Sequence, residues 1–197
     1  MLLLWLCCLA QGSQVQAATL TEKQLSERLA QYRSISRLEA TFKQTKTIKD
    51  LDVQIKSEGR FVLEKGGKVQ WEILKPSHVV ISMNHEVVKI QTDGENGKEI
   101  QTQTVHFNDL PSKKVAQSLS GLMVWLNLDS HELASKYDVS KEKNEFRFTP
   151  REKKSFDPFQ NLLMALDAHG HVKEVKILEN SGDFIDIEFG NPKITPK

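Results

Sequence analysis

The chain has 197 residues, a formal net charge of +1, 27% charged residues and 7% aromatics. That is one domain's worth of chain, with enough mass for a sizeable core. There is no basic excess to neutralise phosphates and few rings to stack bases, so nucleic-acid binding has little support.

Residues 1–17, MLLLWLCCLAQGSQVQA, differ from everything that follows. Leu2 to Ala10 is an apolar run of signal-peptide length, too short to span a bilayer. Val15-Gln16-Ala17 places small residues at −3 and −1, so removal of 1–17 by cleavage after Ala17 is expected, leaving 18–197 as a single domain. No Lys or Arg precedes the apolar run, which leaves a start upstream of Met1 open. Cys7 and Cys8 are the only cysteines and both fall in the segment to be removed. Neither follows a small residue after a long apolar run, so lipidation of the chain itself is rejected. The processed chain would carry no thiol and rely on packing alone.

Thr21-Glu22-Lys23-Gln24 is a capping box, and Leu20 against Leu25 a hydrophobic staple. Leu25, Leu29 and Tyr32 then share one helical face, so this helix should lie across something apolar. Arg37 to Lys49 alternates as a long strand, with Leu38, Ala40 and Phe42 on one side. Val53 to Glu58 returns, and Gly59 marks a bulge or a close approach.

From Gly59 to Met83 three short strands read out: Phe61 and Leu63; Val69, Trp71 and Ile73; then Val79, Ile81 and Met83. Gly66-Gly67 suits a two-residue hairpin with positive φ, and Pro76 ends the second strand. This is an antiparallel meander with one apolar and one charged face. Glu86 to Gln91 and Lys98 to Phe107 flank a turn at Asp93–Gly97; the second is rich in Gln and Thr, as an edge strand would be.

The period then changes. Val115, Leu119, Leu122 and Leu126 recur at helical spacing, with Ala116 and Met123 widening the stripe. A second helix is expected from Asp129, its cap, to about Tyr137. Strands resume with Phe146 and Phe148, then the run Phe159 to Leu166, expected to be central and covered on both faces. Val172 to Leu178 and Ile185, Ile187 and Phe189 close the chain, with turns at His169-Gly170 and Ser181-Gly182. The order is helix, about six strands, two helices, about four strands. That predicts an α+β fold: a mainly antiparallel, strongly curved sheet with helices on its concave side.

No motif for catalysis, phosphate binding or a cofactor is present, so an enzyme is not expected. His169-Gly170-His171 has no carboxylate set nearby in sequence and reads as a solvated turn; no metal site is expected. His131-Glu132 reads as an exposed first helical turn. Asp183 and Asp186 lack a partner group that would name a mechanism. What stands out is apolar surplus: Phe61, Leu63, Trp71, Ile73, Val79, Ile81, Phe146 and Phe148 on strands, and Leu119, Leu122, Met123 and Leu126 on a helix. These could form an ordinary core, or two surfaces that open around an acyl chain.

The ordered set Phe42-Lys43-Gln44, Gly59-Arg60-Phe61, Val69-Gln70-Trp71-Glu72, Pro76, Phe146-Arg147-Phe148-Thr149-Pro150, Asn161 to Leu166, Gly170 and Ile177 resembles the periplasmic outer-membrane lipoprotein carrier family, LolA. The resemblance covers nearly the whole processed chain and rests on order rather than on any one motif. It implies an unclosed β-barrel with a helical lid. It also implies a monomeric carrier in the periplasm of a Gram-negative bacterium, without cofactor. Such a carrier takes acylated lipoproteins from an inner-membrane exporter complex to an outer-membrane receptor. The twelve strand and helix residues named above would line the acyl pocket.

Two departures bear on this. Where many members carry an arginine that ties barrel to lid, this chain has Gln70, with Arg60 as a candidate substitute. The chain also ends at Lys197, before a further Phe- and Pro-containing segment typical of members, which leaves cargo and receptor open. A carrier of another acylated molecule such as a glycolipid, and a lipid-responsive regulatory domain of the same fold, remain alternatives.

Overall fold

The computed structural model describes residues 19–94, 100–106, 109, 129–152 and 159–197. Helix α1 spans Glu22–Arg33 and begins at the capping box: the Thr21 N–H donates to Gln24 Oε1 (2.9 Å) and the Gln24 N–H to Thr21 Oγ1 (3.3 Å). The first meander follows as β1 (Ile35–Ile48), β2 (Val53–Glu64), β3 (Lys68–Lys75), β4 (Val79–Met83), β5 (Val87–Asp93) and β6 (Ile100–His106). Helix α2 spans Ser130–Lys136, capped by Asp129, whose side chain accepts from the His131 and Glu132 N–H groups. The second meander is β7 (Tyr137–Glu142), β8 (Glu145–Pro150), β9 (Asn161–Leu166), β10 (Val172–Leu178) and β11 (Phe184–Pro196).

The two meanders form one antiparallel sheet of 11 strands because β11 pairs with β1; the spatial order is β6-β5-β4-β3-β2-β1-β11-β10-β9-β8-β7. The sheet is curved and unclosed, an α+β half-barrel. β6, the Gln- and Thr-rich strand, is an edge as expected. The other edge, β7, is partly covered: Thr19 bridges to Ser140, and the Leu20 N–H donates to the Val139 carbonyl (2.6 Å).

Several expectations change in detail. Val53 to Glu64 is a single strand, paired to β1 without a break through Gly59; the irregularity opposite Gly59 lies on β3, where Leu74 is the extra residue. A Cβ on Gly59 would sit 1.8 Å from the Glu72 carbonyl oxygen, so only glycine lets β2 and β3 approach there. The β2–β3 turn has three residues, Lys65 to Gly67, with Gly66 and Gly67 at φ 87° and 76°. β7 was not expected; Tyr137 begins it rather than ending a helix. β9 buries Leu162 and Met164 on one face and half-buries Leu163 and Ala165 on the other, so it is not covered equally on both. β11 runs well past Phe189, resuming after a bulge at Gly190–Lys193.

Candidate functional site

Residues paired directly across antiparallel strands share a face of the sheet. One row on the apolar face runs Ile90, Ile81, Trp71, Phe61 and Ala40 across β5 to β1. Another runs Ile185, Ile177, Leu162 and Phe148 across β11 to β8. A third runs Ile187, Val175, Met164 and Phe146 over the same strands. These rows define a continuous apolar face spanning both meanders.

The face is covered unevenly. Toward β7 and β8 it lies under the helices: Leu25 and Leu29 of α1 and Leu133 of α2 are buried in one cluster with Tyr137, Val139, Phe146, Phe148, Phe159, Leu162 and Met164. Toward β1–β3 a smaller cluster of Phe42, Phe61, Val69 and Ile187 is flanked by half-buried Leu38, Leu63, Trp71, Ile73, Ile185 and Phe189. Here the rings pack on one another: Phe42 and Trp71 centroids are 4.1 Å apart, and Phe61 meets Phe189 edge-on at 5.7 Å.

Between the two clusters opens a cavity of ≈ 360 Å³, within the roughly 300–1,000 Å³ of small-molecule sites. Six neighbouring strands line it: Leu38 and Ala40 from β1, Phe61 and Leu63 from β2, Trp71 from β3, Leu162 and Met164 from β9, Val172, Val175 and Ile177 from β10, and Ile185, Ile187, Phe189, Pro192 and Ile194 from β11. Phe159 and, from the last turn of α1, Tyr32 complete it.

Among the described residues, the lining's ionisable groups besides the Tyr32 phenol are His171 and Glu179, which lie at opposite ends of β10. At one end the Tyr32 hydroxyl donates to the Gly170 carbonyl (2.8 Å), fastening α1 to the β9–β10 turn. Asp167 holds that turn, accepting from the His169 and His171 N–H groups at 2.8 and 2.9 Å. Burial pulls the Asp167 carboxyl upward, but those N–H groups and the His171 ring outweigh it, and the net shift is downward. His169 and His171 thus serve the turn, and no group of three or more metal-ligating side chains gathers among the described residues. At the other end, Lys46 Nζ lies 3.1 and 3.0 Å from the two Glu179 carboxylate oxygens.

Of the twelve residues expected in an acyl pocket, Phe61, Leu63 and Trp71 line the cavity. Ile73 packs beside them, while Val79 and Ile81 continue the same face onto β4 outside the lining. Phe146 and Phe148 share the face but are fully buried beneath the helices, apart from the cavity lining. Leu119, Leu122, Met123 and Leu126 lie outside the described residues. The lining from β9–β11 was missed; its alternation was visible, but its adjacency to β1 was not. Arg60 is no clasp over this face: it pairs with Thr41 and Glu72 on the opposite side, where Gln70 also lies.

The family model described as "Outer membrane lipoprotein carrier protein LolA" matches residues 33–197. The chain belongs to the LolA family. Members are periplasmic carrier proteins of Gram-negative bacteria, not enzymes. No curated protein sequence matches the chain. Among solved structures it is similar to a LolA superfamily protein from Nitrosomonas europaea (11% identity, 90% of this chain, 95% of that one, TM-score 0.42). It is also similar to the MucA/MucB complex structure of Pseudomonas aeruginosa (15%, 88% and 56%, TM-score 0.47). A third is a DUF1329 family protein from Desulfovibrio piger (10%, 88% and 91%, TM-score 0.33).

Proposed function

We propose that this protein is a periplasmic carrier that holds acyl chains of lipoproteins on the open part of its half-barrel and moves them from inner to outer membrane. The observation that carries this is the ≈ 360 Å³ cavity, whose walls are almost wholly aliphatic and aromatic. An acyl chain fits such walls because each buried methylene contributes about 0.8 kcal/mol, so a long chain gains ~10 kcal/mol gross. Release then requires a competing state. By its periodicity in the sequence, the stripe of Leu119, Leu122, Met123 and Leu126 would supply a cover that competes with cargo. Leu122→Asp should abolish uptake of a fluorescent acyl probe; a folded variant that binds as wild type removes this stripe from the site. In this reading residues 1–17 are removed on export, and the carrier is a monomer meeting an inner-membrane exporter and an outer-membrane receptor in turn.

The test is mass spectrometry of what copurifies with the processed protein from periplasm, without detergent. Stoichiometric lipoprotein supports the carrier reading. Bound glycolipid would keep the cavity and change the cargo. A lipid-filled protein held by one fixed protein partner would point to a regulatory domain. An empty protein that also refuses an apolar probe would make the face an ordinary core.

A further inference from the structure

Among the described residues, a Lys–Glu couple crosses the apolar face between β1 and the β10–β11 turn. Lys46 pairs with Ile55 on one side and Ile185 on the other, and reaches over to Glu179, which lines the cavity. Ile177 and Ile185 lie inside it, and Val53 and Ile55, both exposed, lie outside it toward the hairpin tip. Both charged side chains are half-buried, so part of their hydration is surrendered for a contact that apolar neighbours do not require. At the opposite end, Tyr32 and Asp167 are engaged in holding the β9–β10 turn.

Acyl tails look alike to an apolar wall, so a carrier tells its cargo by the head. We propose that Lys46 and Glu179 form the head-reading couple of the cavity, selecting acyl compounds whose polar head is uncharged and offers both donors and acceptors, such as an acylglycerol or an acyl amide. This rests on the acyl-carrier reading above and names the part of the cargo that reading leaves open. The ammonium donates to ester or amide carbonyls, and the carboxylate accepts from hydroxyl or N–H groups. The couple is neutral as a whole. A bare fatty-acid carboxylate approaching Lys46 meets the Glu179 carboxylate beside it, and that repulsion keeps the cavity from filling with free fatty acid.

The experiment is binding of palmitate and of monopalmitoylglycerol to the processed full chain, each below its micelle concentration, by displacement of a fluorescent apolar probe. Wild type should favour monopalmitoylglycerol. Glu179→Gln should shift the affinity ratio about tenfold toward palmitate, because Lys46 is then an unmatched cation. Lys46→Met, which keeps the apolar stem, should shift it the other way by a similar factor. The double variant should return close to the wild-type ratio. A ratio unchanged in both single variants overturns the proposal, as does an equal loss for both ligands, which marks the couple as merely structural. Binding of neither ligand by the wild type overturns the carrier reading itself and this proposal with it.

Discussion

One face of one sheet meets two fates in this molecule. On β8, Phe146 and Phe148 have no exposed surface, because α1 and α2 lay Leu25, Leu29 and Leu133 over them. A few strands away, Leu38, Leu63, Trp71 and Ile185 have the same chemistry and orientation yet stay half-exposed around a cavity. The row Ile185, Ile177, Leu162, Phe148 passes from one condition to the other without a change in side-chain type. The sheet therefore does not decide what is core and what is site; the roof does. Where helices cover the face, apolar side chains stabilise the fold. Beyond the last turn of α1, which contributes Tyr32, the same side chains line the cavity instead.

That contrast is sharpest in a pair of truncations. Phe148→Ala in the roofed half should cost about 3–5 kcal/mol of stability, the range for a buried ring replaced by a cavity. Leu63→Ala in the open half should cost only about 1 kcal/mol, since its side chain is half-buried, but should weaken acyl-probe binding. Urea denaturation with probe titration reads both. Equal stability losses would abolish the distinction between the halves.

The open half has one tight point. A Cβ at Gly59 would meet three backbone atoms of Glu72 and Ile73, none of which can swing aside as a side-chain end would. Gly59→Ala should therefore cost about 1–3 kcal/mol, more than Leu63→Ala despite removing nothing. A neutral result would mean that the β2–β3 bulge yields freely, and that this half is loose throughout.

The sequence made the strands legible where period two ran for four or more residues, as in β1, β3, β4 and β10. Gly59 was legible as a bulge or a close approach because an interior glycine in an alternating strand has few other uses, and it is the close approach, the bulge residue being Leu74 of β3. β7 was not, because Tyr137-Asp138-Val139 offers two apolar residues directly after a helical pattern. The last part of β11 was missed because Asn191-Pro192 reads as a stop; Asn191 instead takes φ 51° in a bulge and the strand resumes. For the site, Phe61, Leu63 and Trp71 could be read from a local meander. Val175, Ile177, Ile185 and Ile187 could not, because their place depends on β1 pairing with β11 at the far end of the chain. Phe146 and Phe148 carry the same alternation as the cavity residues, and nothing in alternation says which strands a helix will cover.

The roof itself depends on how α1 starts. Thr21→Ala removes the Oγ1 acceptor used by the Gln24 N–H and should cost about 1 kcal/mol. If α1 is the roof of the closed half, amide protection should fall at β7 and β8 while β2 and β3 keep theirs. A uniform loss across the sheet would mean that the two halves unfold as one unit.

The smallest effect is expected on the outer, charged face. His78 sits between Asp93 (Nδ1 to Oδ1, 3.1 Å) and Glu72 (Nε2 to Oε1, 3.3 Å). The hydrogen bond to Asp93, then that to Glu72, raises its pKa above the ordinary histidine value. A raised folded-state pKa means that the cation is favoured by folding. The stabilisation is then complete below about pH 6.5, the unfolded value, and is lost as pH rises through the folded pKa. His78 and Asp93 are solvent-exposed, so the effect should be small and should shrink further in high salt. Thermal melts of wild type and His78→Gln between pH 5 and 8 check it. The two melting curves should converge as pH rises, and a gap that widens with pH would reverse the assigned sign. Phe148→Ala should lower the melting temperature at every pH in that window, because a buried ring does not titrate.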